Sequence, residues 1–542
     1  MQHGRTLIAA LLAGTVAAGP LWAQATHPET GETLAEDQTF VYRALDESPS
    51  IDPQKVEDVD GSKIVRNLFE GLLNTDAEGE VVPGVATEWE ASDDRKTWTF
   101  TLREDAAWSN GEPVTAEDFV YAWQRAADPA TASEYAWYIQ LMKIVNAAEI
   151  IAGEMEPTEL GVRAVDDRTL EVSLTEGVPY FDQMVTHATT FPAPRAVIEE
   201  HGDEWTRPGN MVSNGAYVLT EYVPGERLEM EKNPEYWDAE NVIIERVVRL
   251  VINDENQALT RWMADEVDWT LIPAGQFPRL KEEHPDAATS VPELCSYYYW
   301  INLSESGPEA LKDARVRKAL SLALDRNVIV ENIMAGGQPP AYTFTPEATA
   351  GYSPPEVEAE TMTQAERDEM AKQLMQEAGY GPDNPPPPFE LIYNTSEAHQ
   401  KIAIAASQMW KQKLGVETTL ANQEWTTYLT ARGNQEFDLA RAAWCGDYNE
   451  ASTFVELLTT PSEYNDGKYS NPEIDALFEE AATSDDPEQQ YQEMERLAAE
   501  DTALIPIYWY TNAFMLDPAI KGWPYENVSQ DWYAKDLYRV AQ

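Results

Sequence analysis

Between Arg441 and Asp447 the chain places a guanidinium, an indole, a thiol and a carboxylate on Arg441, Trp444, Cys445 and Asp447. These groups directly follow the short apolar run around Leu439-Ala440, which reads as a strand. Such a mixture at a strand's end forms a recognition edge more often than a core. Arginine supplies fixed donors suited to a carboxylate, and a carboxylate pairs with an ammonium that is costly to desolvate alone. The residues by themselves leave other roles open. Asp447 after Gly446 suits an Asx turn, Arg441 suits an internal ion pair, and His399 in the run Asn394–His399 suits a helix cap.

Catalytic machinery is harder to find. The chain has no Gly-rich phosphate loop, no His-Glu-x-x-His, no nucleophile elbow and no Cys-x-x-Cys, so no catalytic residue, cofactor or metal site is expected. A secreted peptide hydrolase stands as the alternative from a different class. The only two cysteines are Cys295 and Cys445. In an oxidising export compartment an even pair points to a disulfide. Closing a loop of about 150 residues would contribute at most roughly 5 kcal/mol of chain entropy.

Strands alternating with helices must position these groups. Trp98 to Leu102 and Thr169 to Leu174 alternate like half-buried strands, and Thr115 followed by Asp118 caps a helix running to Ala126. Thr363-Gln364-Ala365-Glu366 is a capping box. It opens a helix with Met370, Leu374, Met375 and Ala378 on one side, closed by Gly379. The pattern is α/β. The four consecutive prolines within Gly381 to Pro388 read as a polyproline-like surface loop inside a domain, since proline cannot donate to a ladder.

Met1 to Ala25 carries one cation, Arg5, an apolar run from Leu7 to Ala18, and the small-residue site Ala23-Gln24-Ala25, the pattern of a cleaved secretory signal peptide. The apolar run is shorter than the roughly 20 residues of a membrane span, so an exported soluble product is expected. The remaining roughly 515 residues exceed one core and imply two or three domains. The 95 acidic and 38 basic residues give a net charge of -57, which excludes nucleic acid and anionic membrane surfaces as partners. The acids are spread along the whole chain. A salt-tolerant surface therefore accounts for them better than steering of cationic ligands, and Glu282-Glu283 and Asp485-Asp486 read as solvated faces.

The segment Phe437–Glu450 resembles the ligand-binding segment of periplasmic oligopeptide-binding proteins, the receptors of peptide ABC importers in extracellular solute-binding protein family 5. Leu68–Leu73, Trp98–Arg103, Trp108–Phe119, Asn214–Tyr217 and Cys295–Tyr299 resemble that family's signatures in the family's order, from about Leu34 to the C-terminus. The resemblance implies a periplasmic binding protein-like clamp of two hinged lobes and an additional domain. Its first domain takes residues 26–69, 195–294 and 515–542, its second 70–194 and its third 295–514, with crossovers near Leu294 and Phe514. It also implies a monomer in the Gram-negative periplasm that captures short peptides and delivers them to membrane permease subunits. Relatives that bind murein tripeptide share nearly the same scaffold and give the alternative ligand.

A free peptide always presents an ammonium, a carboxylate and the amides between, so a receptor indifferent to sequence must satisfy those groups and leave side chains in roomy pockets. By resemblance Asp447 takes the ammonium, and Arg441, Arg432 and His399 meet the carboxylate at different ligand lengths. Glu57, Asp58 and Val59 match a strip that runs antiparallel to the ligand, with Glu57 also attracting cations. Tyr135, Tyr298, Trp425 and Trp444 match pocket-lining aromatics, beside Cys445. Three positions depart from the pattern. Trp300 stands where close relatives carry an acid, Met334 where some carry a lysine used for short ligands, and Glu293 where an aromatic is common. Loss of that lysine should disfavour dipeptides.

Overall fold

The computed structural model describes residues 25–542 apart from Thr483 and Asp485, so the expected signal peptide and the first acid of Asp485-Asp486 lie outside the described residues. A ten-stranded mixed sheet runs through the molecule. Its two longest strands, Ala288–Ile301 and Leu504–Leu516, are antiparallel neighbours at its middle. They pair in two stretches, Ala288–Pro292 with Met515–Thr511 and Ser296–Trp300 with Trp509–Leu504, and the register breaks between Pro292 and Ser296. Such an irregularity bends a strand and re-aims its side chains.

On one flank lie Trp269–Leu271, Thr39–Ala44, Arg246–Val251, Arg227–Lys232 and Tyr217–Val223; on the other Leu439–Cys445, Phe389–Asn394 and Thr418–Gln423. Alternation divides the long strand between two cores. Tyr297, Tyr299 and Ile301 join the cluster under helix Glu397–Leu414, whereas Tyr298 and Trp300 join the other, with Phe344 and Phe454.

A second, antiparallel sheet is built from Ala86–Ala91, Thr97–Leu102, Thr169–Ser173 and Val162–Asp166. Trp98, Phe100 and Leu102 are buried along one of the strands expected from alternation, and Leu170 and Val172 along the other. Helix Ala116–Ala127 begins at the Thr115/Asp118 capping box and buries Phe119, Val120 and Trp123. The second expected capping box, Thr363 with Glu366, opens helix Gln364–Glu377, and Gly379 follows its end at a φ of 90° that disfavours other residues. Met375 is fully buried there, with Met370, Leu374 and Ala378 packed at the rim of the same cluster. The proline-rich segment is a largely exposed connector from this helix to strand Phe389–Asn394, within one flank of the large sheet. Glu282, Glu283 and Asp486 are exposed, as solvated faces should be.

Candidate functional site

Strand Leu439–Cys445 is central because it has partners on both sides. Leu439 and Ala440 pair in parallel with Leu391 and Ile392, while Cys445 to Leu439 pair antiparallel with Cys295 to Ile301. Cys295 and Cys445 stand directly opposite each other and are joined by a disulfide. The chain then turns away at Gly446, where a Cβ would lie 2.7 Å from the Leu294 side chain. Asp447 follows at once, its N–H donating to Thr453 Oγ1 at 3.0 Å.

Asp447 opens into a cavity of about 330 Å³ walled by segments from distant parts of the chain, among them residues 45–47 and 57–66, Tyr135 and His187, and strand residues 441–447. Its side chain is 7% exposed, which removes the surface Asx-turn reading. Oδ1 accepts from Tyr135 Oη at 3.2 Å, and His187 Nε2 lies 3.5 Å away, while Oδ2 finds no hydrogen-bond partner among the described residues. Burial pushes the Asp447 carboxyl up to about 8, against the Tyr135 hydrogen bond and with help from Glu456. His187 falls to about 3, through burial and then Arg66, so it is neutral and supplies no balancing charge. A buried carboxylate with an open oxygen and no cation in contact is an acceptor for an ammonium from outside.

Strand rise of about 3.3 Å per residue puts Arg441 about 13 Å before Cys445. Arg441 Nη2 donates to Tyr510 Oη at 2.7 Å and Nη1 to Asn394 Oδ1 at 3.3 Å; its guanidinium lies over the Tyr297 ring at 4.9 Å, and Nε has no hydrogen-bond partner among the described residues. No carboxylate pairs with it among the described residues, so the internal ion-pair reading fails there. That reading applies instead to Arg432, whose Nε is 2.6 Å from Asp466 Oδ2 with both side chains buried. Arg432, expected to meet a ligand carboxylate, borders the cavity with its charge already balanced by Asp466.

His399 also lines the cavity, with Nδ1 lacking a hydrogen-bond partner among the described residues. Burial and Arg441 hold it well below its ordinary value, so the ring is neutral. The helix cap is Ser396, which accepts from the His399 N–H at 3.4 Å, and His399 is free of that role.

Glu57, Asp58 and Val59 lie in the opposite wall. Val59 is the first residue of helix Val59–Leu68, and Asp58 caps that helix through Gly61 N–H at 2.9 Å while accepting from Ser48 Oγ at 2.5 Å. Only the Asp58 backbone therefore remains for a ligand. Glu57 has no such partner, and burial and then Glu134 raise it to about 7.

Tyr135, Trp425, Trp444 and Cys445 line the cavity as expected. Tyr298 does not. It is 1% exposed and packs edge-on against Phe344 and Trp300, on the face of its strand away from Arg441. Two other departures are also removed from the cavity, Trp300 in the core and Met334 in the helical turn Val328–Met334, whereas Glu293 is in its wall. Sequence reasoning missed His187, Arg66, Tyr464 and Tyr510. Arg66 sits beside Asp531, 3.2 Å away. No local pattern distinguishes these four, because each reaches the cavity only through long-range packing.

Residues 80–466 match the model for bacterial extracellular solute-binding proteins, family 5. The chain is 43% identical over 98% of its length to the periplasmic oligopeptide-binding protein OppA of Escherichia coli, covering 97% of it. The solved murein tripeptide-binding protein MppA of Escherichia coli superposes with a TM-score of 0.91 at 42% identity, over 94% of this chain and 100% of that one. Haemophilus influenzae OppA in complex with the peptide RPPGFSPFR gives 0.89 at 39% identity, over 94% and 100%. An unliganded open form of MppA gives only 0.70 at the same 42% identity, over 95% and 99%. The chain therefore superposes better on the peptide complex than on the open form.

Proposed function

Since the chain belongs to the bacterial extracellular solute-binding proteins of family 5, we propose that its cavity captures short oligopeptides by their termini and backbone for an ABC importer. The observation that carries this reading is Asp447, enclosed at the strand end with one oxygen unpartnered and no cation in contact. It takes the peptide α-ammonium. Arg441, through its free Nε, and neutral His399, through Nδ1, serve the carboxylate end, with Arg432 contributing in the ion pair it already makes.

The three-lobe partition at 26–69 with 195–294 and 515–542, at 70–194, and at 295–514 fits the two long strands, which cross from one flank to the other near Leu294 and Phe514. They form the hinge. Closure brings Tyr135 and His187 onto Asp447, so the closed state gains contacts that no single lobe holds. Permease subunits then recognise that state. Export to a periplasm agrees with the disulfide and with the N-terminal pattern, and the receptor acts as a monomer.

Calorimetry with tri-, tetra- and pentapeptides, free and N-acetylated, tests the reading. Free peptides should bind and acetylated ones should not; equal affinity would overturn the role of Asp447. The likeness to MppA supports murein tripeptide as a second ligand class, and mass spectrometry of ligand carried through purification separates the two. A hydrolase would instead show cleavage products on incubation with peptide.

A further inference from the structure

Eight carboxylate residues and three arginines contribute to the cavity wall. Most of the carboxylates are already occupied: Asp58 caps a helix, Asp531 faces Arg66, Asp46 accepts from Asn253, Glu47 from Tyr222, and Asp60 lies 3.6 Å from Lys63. Glu57, Glu293 and one oxygen of Asp447 are left without a partner among the described residues. Asp447 and Glu57 belong to the reading above. Glu293 is not explained by it.

Three fully buried carboxylates elsewhere among the described residues are satisfied, whereas Glu293 is half-buried in the cavity wall. Glu495 accepts from two backbone N–H groups and Thr345, Glu70 from Tyr236, Trp237 and Asn74, and Asp52 from Arg125 and Trp205. Glu293 differs from these because of its place in the strand. It follows Pro292 at the register break, where alternation sends Leu294 into the core against Gly446 and turns Glu293 and Cys295 to the cavity. Burial raises it to about 7 against the pull of Lys63, which itself pairs with Asp60 at 3.6 Å and lies 5.8 Å over the Trp269 ring. The same cavity is lined by Val59 and Leu271, 47% and 39% exposed, large apolar side chains that no other element covers. Apolar walls with an unpaired carboxylate suit a long aliphatic stem that ends in a cation.

We propose that Glu293 forms a subsite for one basic peptide side chain, of the lysine or arginine class, and so sets a side-chain preference at a single position of the ligand. This rests on the peptide-binding reading. Asp447 anchors the ammonium end in one place, so each ligand residue meets a fixed part of the wall, and only one register should feel Glu293.

The test walks a single lysine through tetra-alanine, with norleucine, which keeps the stem without the charge, as the control at each position. Affinities are measured for the wild type, Glu293→Gln and Glu293→Lys. In one register the wild type should prefer lysine to norleucine by about tenfold or more. Glu293→Gln should abolish that preference and leave the other registers unchanged. Glu293→Lys should favour glutamate in that same register. A preference spread equally over all registers, or one that survives Glu293→Gln, would overturn the subsite and trace the effect to overall charge. Tetra-alanine reports separately on the reading beneath: if it binds and depends on Asp447 while Glu293 has no effect, only the subsite falls, and if no peptide binds, both fall.

Discussion

At one end of the cavity a single carboxylate, Asp447, is fixed by Thr453 behind it and approached by Tyr135 and His187 from across the cleft. At the other end lie two arginines and a histidine. Arg432 is neutralised by Asp466, Arg441 is held by Tyr510 and Asn394, and His399 is uncharged. On the proposed reading the ammonium of a peptide arrives at the same place each time, so one acceptor suffices. The carboxylate arrives at a distance set by ligand length, and a distributed set of donors tolerates that variation. On that reading, specificity for the first group and tolerance for the second would come from how many side chains share each task.

The largest expected effect separates the two arginines. Arg432→Ala leaves Asp466 buried and unpaired and should destabilise the protein by about 3–5 kcal/mol, read as a fall in melting temperature, with Asp466→Asn in the same chain restoring most of it. If Arg432→Ala melts like the wild type, Asp466 does not depend on Arg432 and the contrast between the two arginines fails. Asp447→Ala should cost about 2–5 kcal/mol of binding for free peptides of every length and erase their advantage over acetylated ones.

Protonation sharpens the same contrast. The Asp447 carboxyl sits at about 8 in the folded state, above its ordinary range. Its protonated form is therefore the stabilising one, and that stability is lost as pH rises towards 8. Asp447→Asn should melt higher than the wild type at pH 8 and similarly at pH 4. Peptide affinity runs the other way: it should fall below pH 8 as Asp447 takes up a proton, and fall again above it as the peptide amine, near 8, loses its own. An affinity flat from pH 5 to 9 would show that the carboxylate is ionised throughout. Arg441→Gln should have the smaller effect, about 1.5–3 kcal/mol, and only for lengths whose carboxylate reaches Nε.

Much of this was legible in the sequence because it is local. The strand at Leu439, the two capping boxes and the order of groups from Arg441 to Asp447 all depend on neighbours in the chain, and the α/β class follows from their periods. What stayed hidden depends on long-range packing. His187 and Tyr135 reach Asp447 from the starts of two short helices far away in the chain, and Asp466 reaches Arg432 across 34 residues. Tyr298 failed as a cavity residue for a finer reason: within Tyr297-Tyr298-Tyr299 the side chains alternate between two cores, and composition cannot say which face is which.

The smallest effect on the cavity should come from salt, and it tests what the net charge of -57 is for. Exposed carboxylates such as Glu282 and Asp486 repel their neighbours over a Debye length of about 10 Å at 0.1 M salt, which shrinks to about 3 Å at 1 M. If the acidity is a salt-tolerant surface, the melting temperature should climb between these concentrations, by about 2–4 °C for each kcal/mol of repulsion relieved in domains of this size. The pairing of Asp447 with a peptide ammonium is enclosed, so screening reaches it poorly, and the affinity of tri-alanine should change no more than a few-fold over the same range. A melting temperature indifferent to salt, together with a steep loss of tri-alanine affinity, would reverse the assignment. The surface charge would then be drawing cationic groups to the cleft, and the difference between its two ends would owe less to the residues that line them than to the field of the whole molecule.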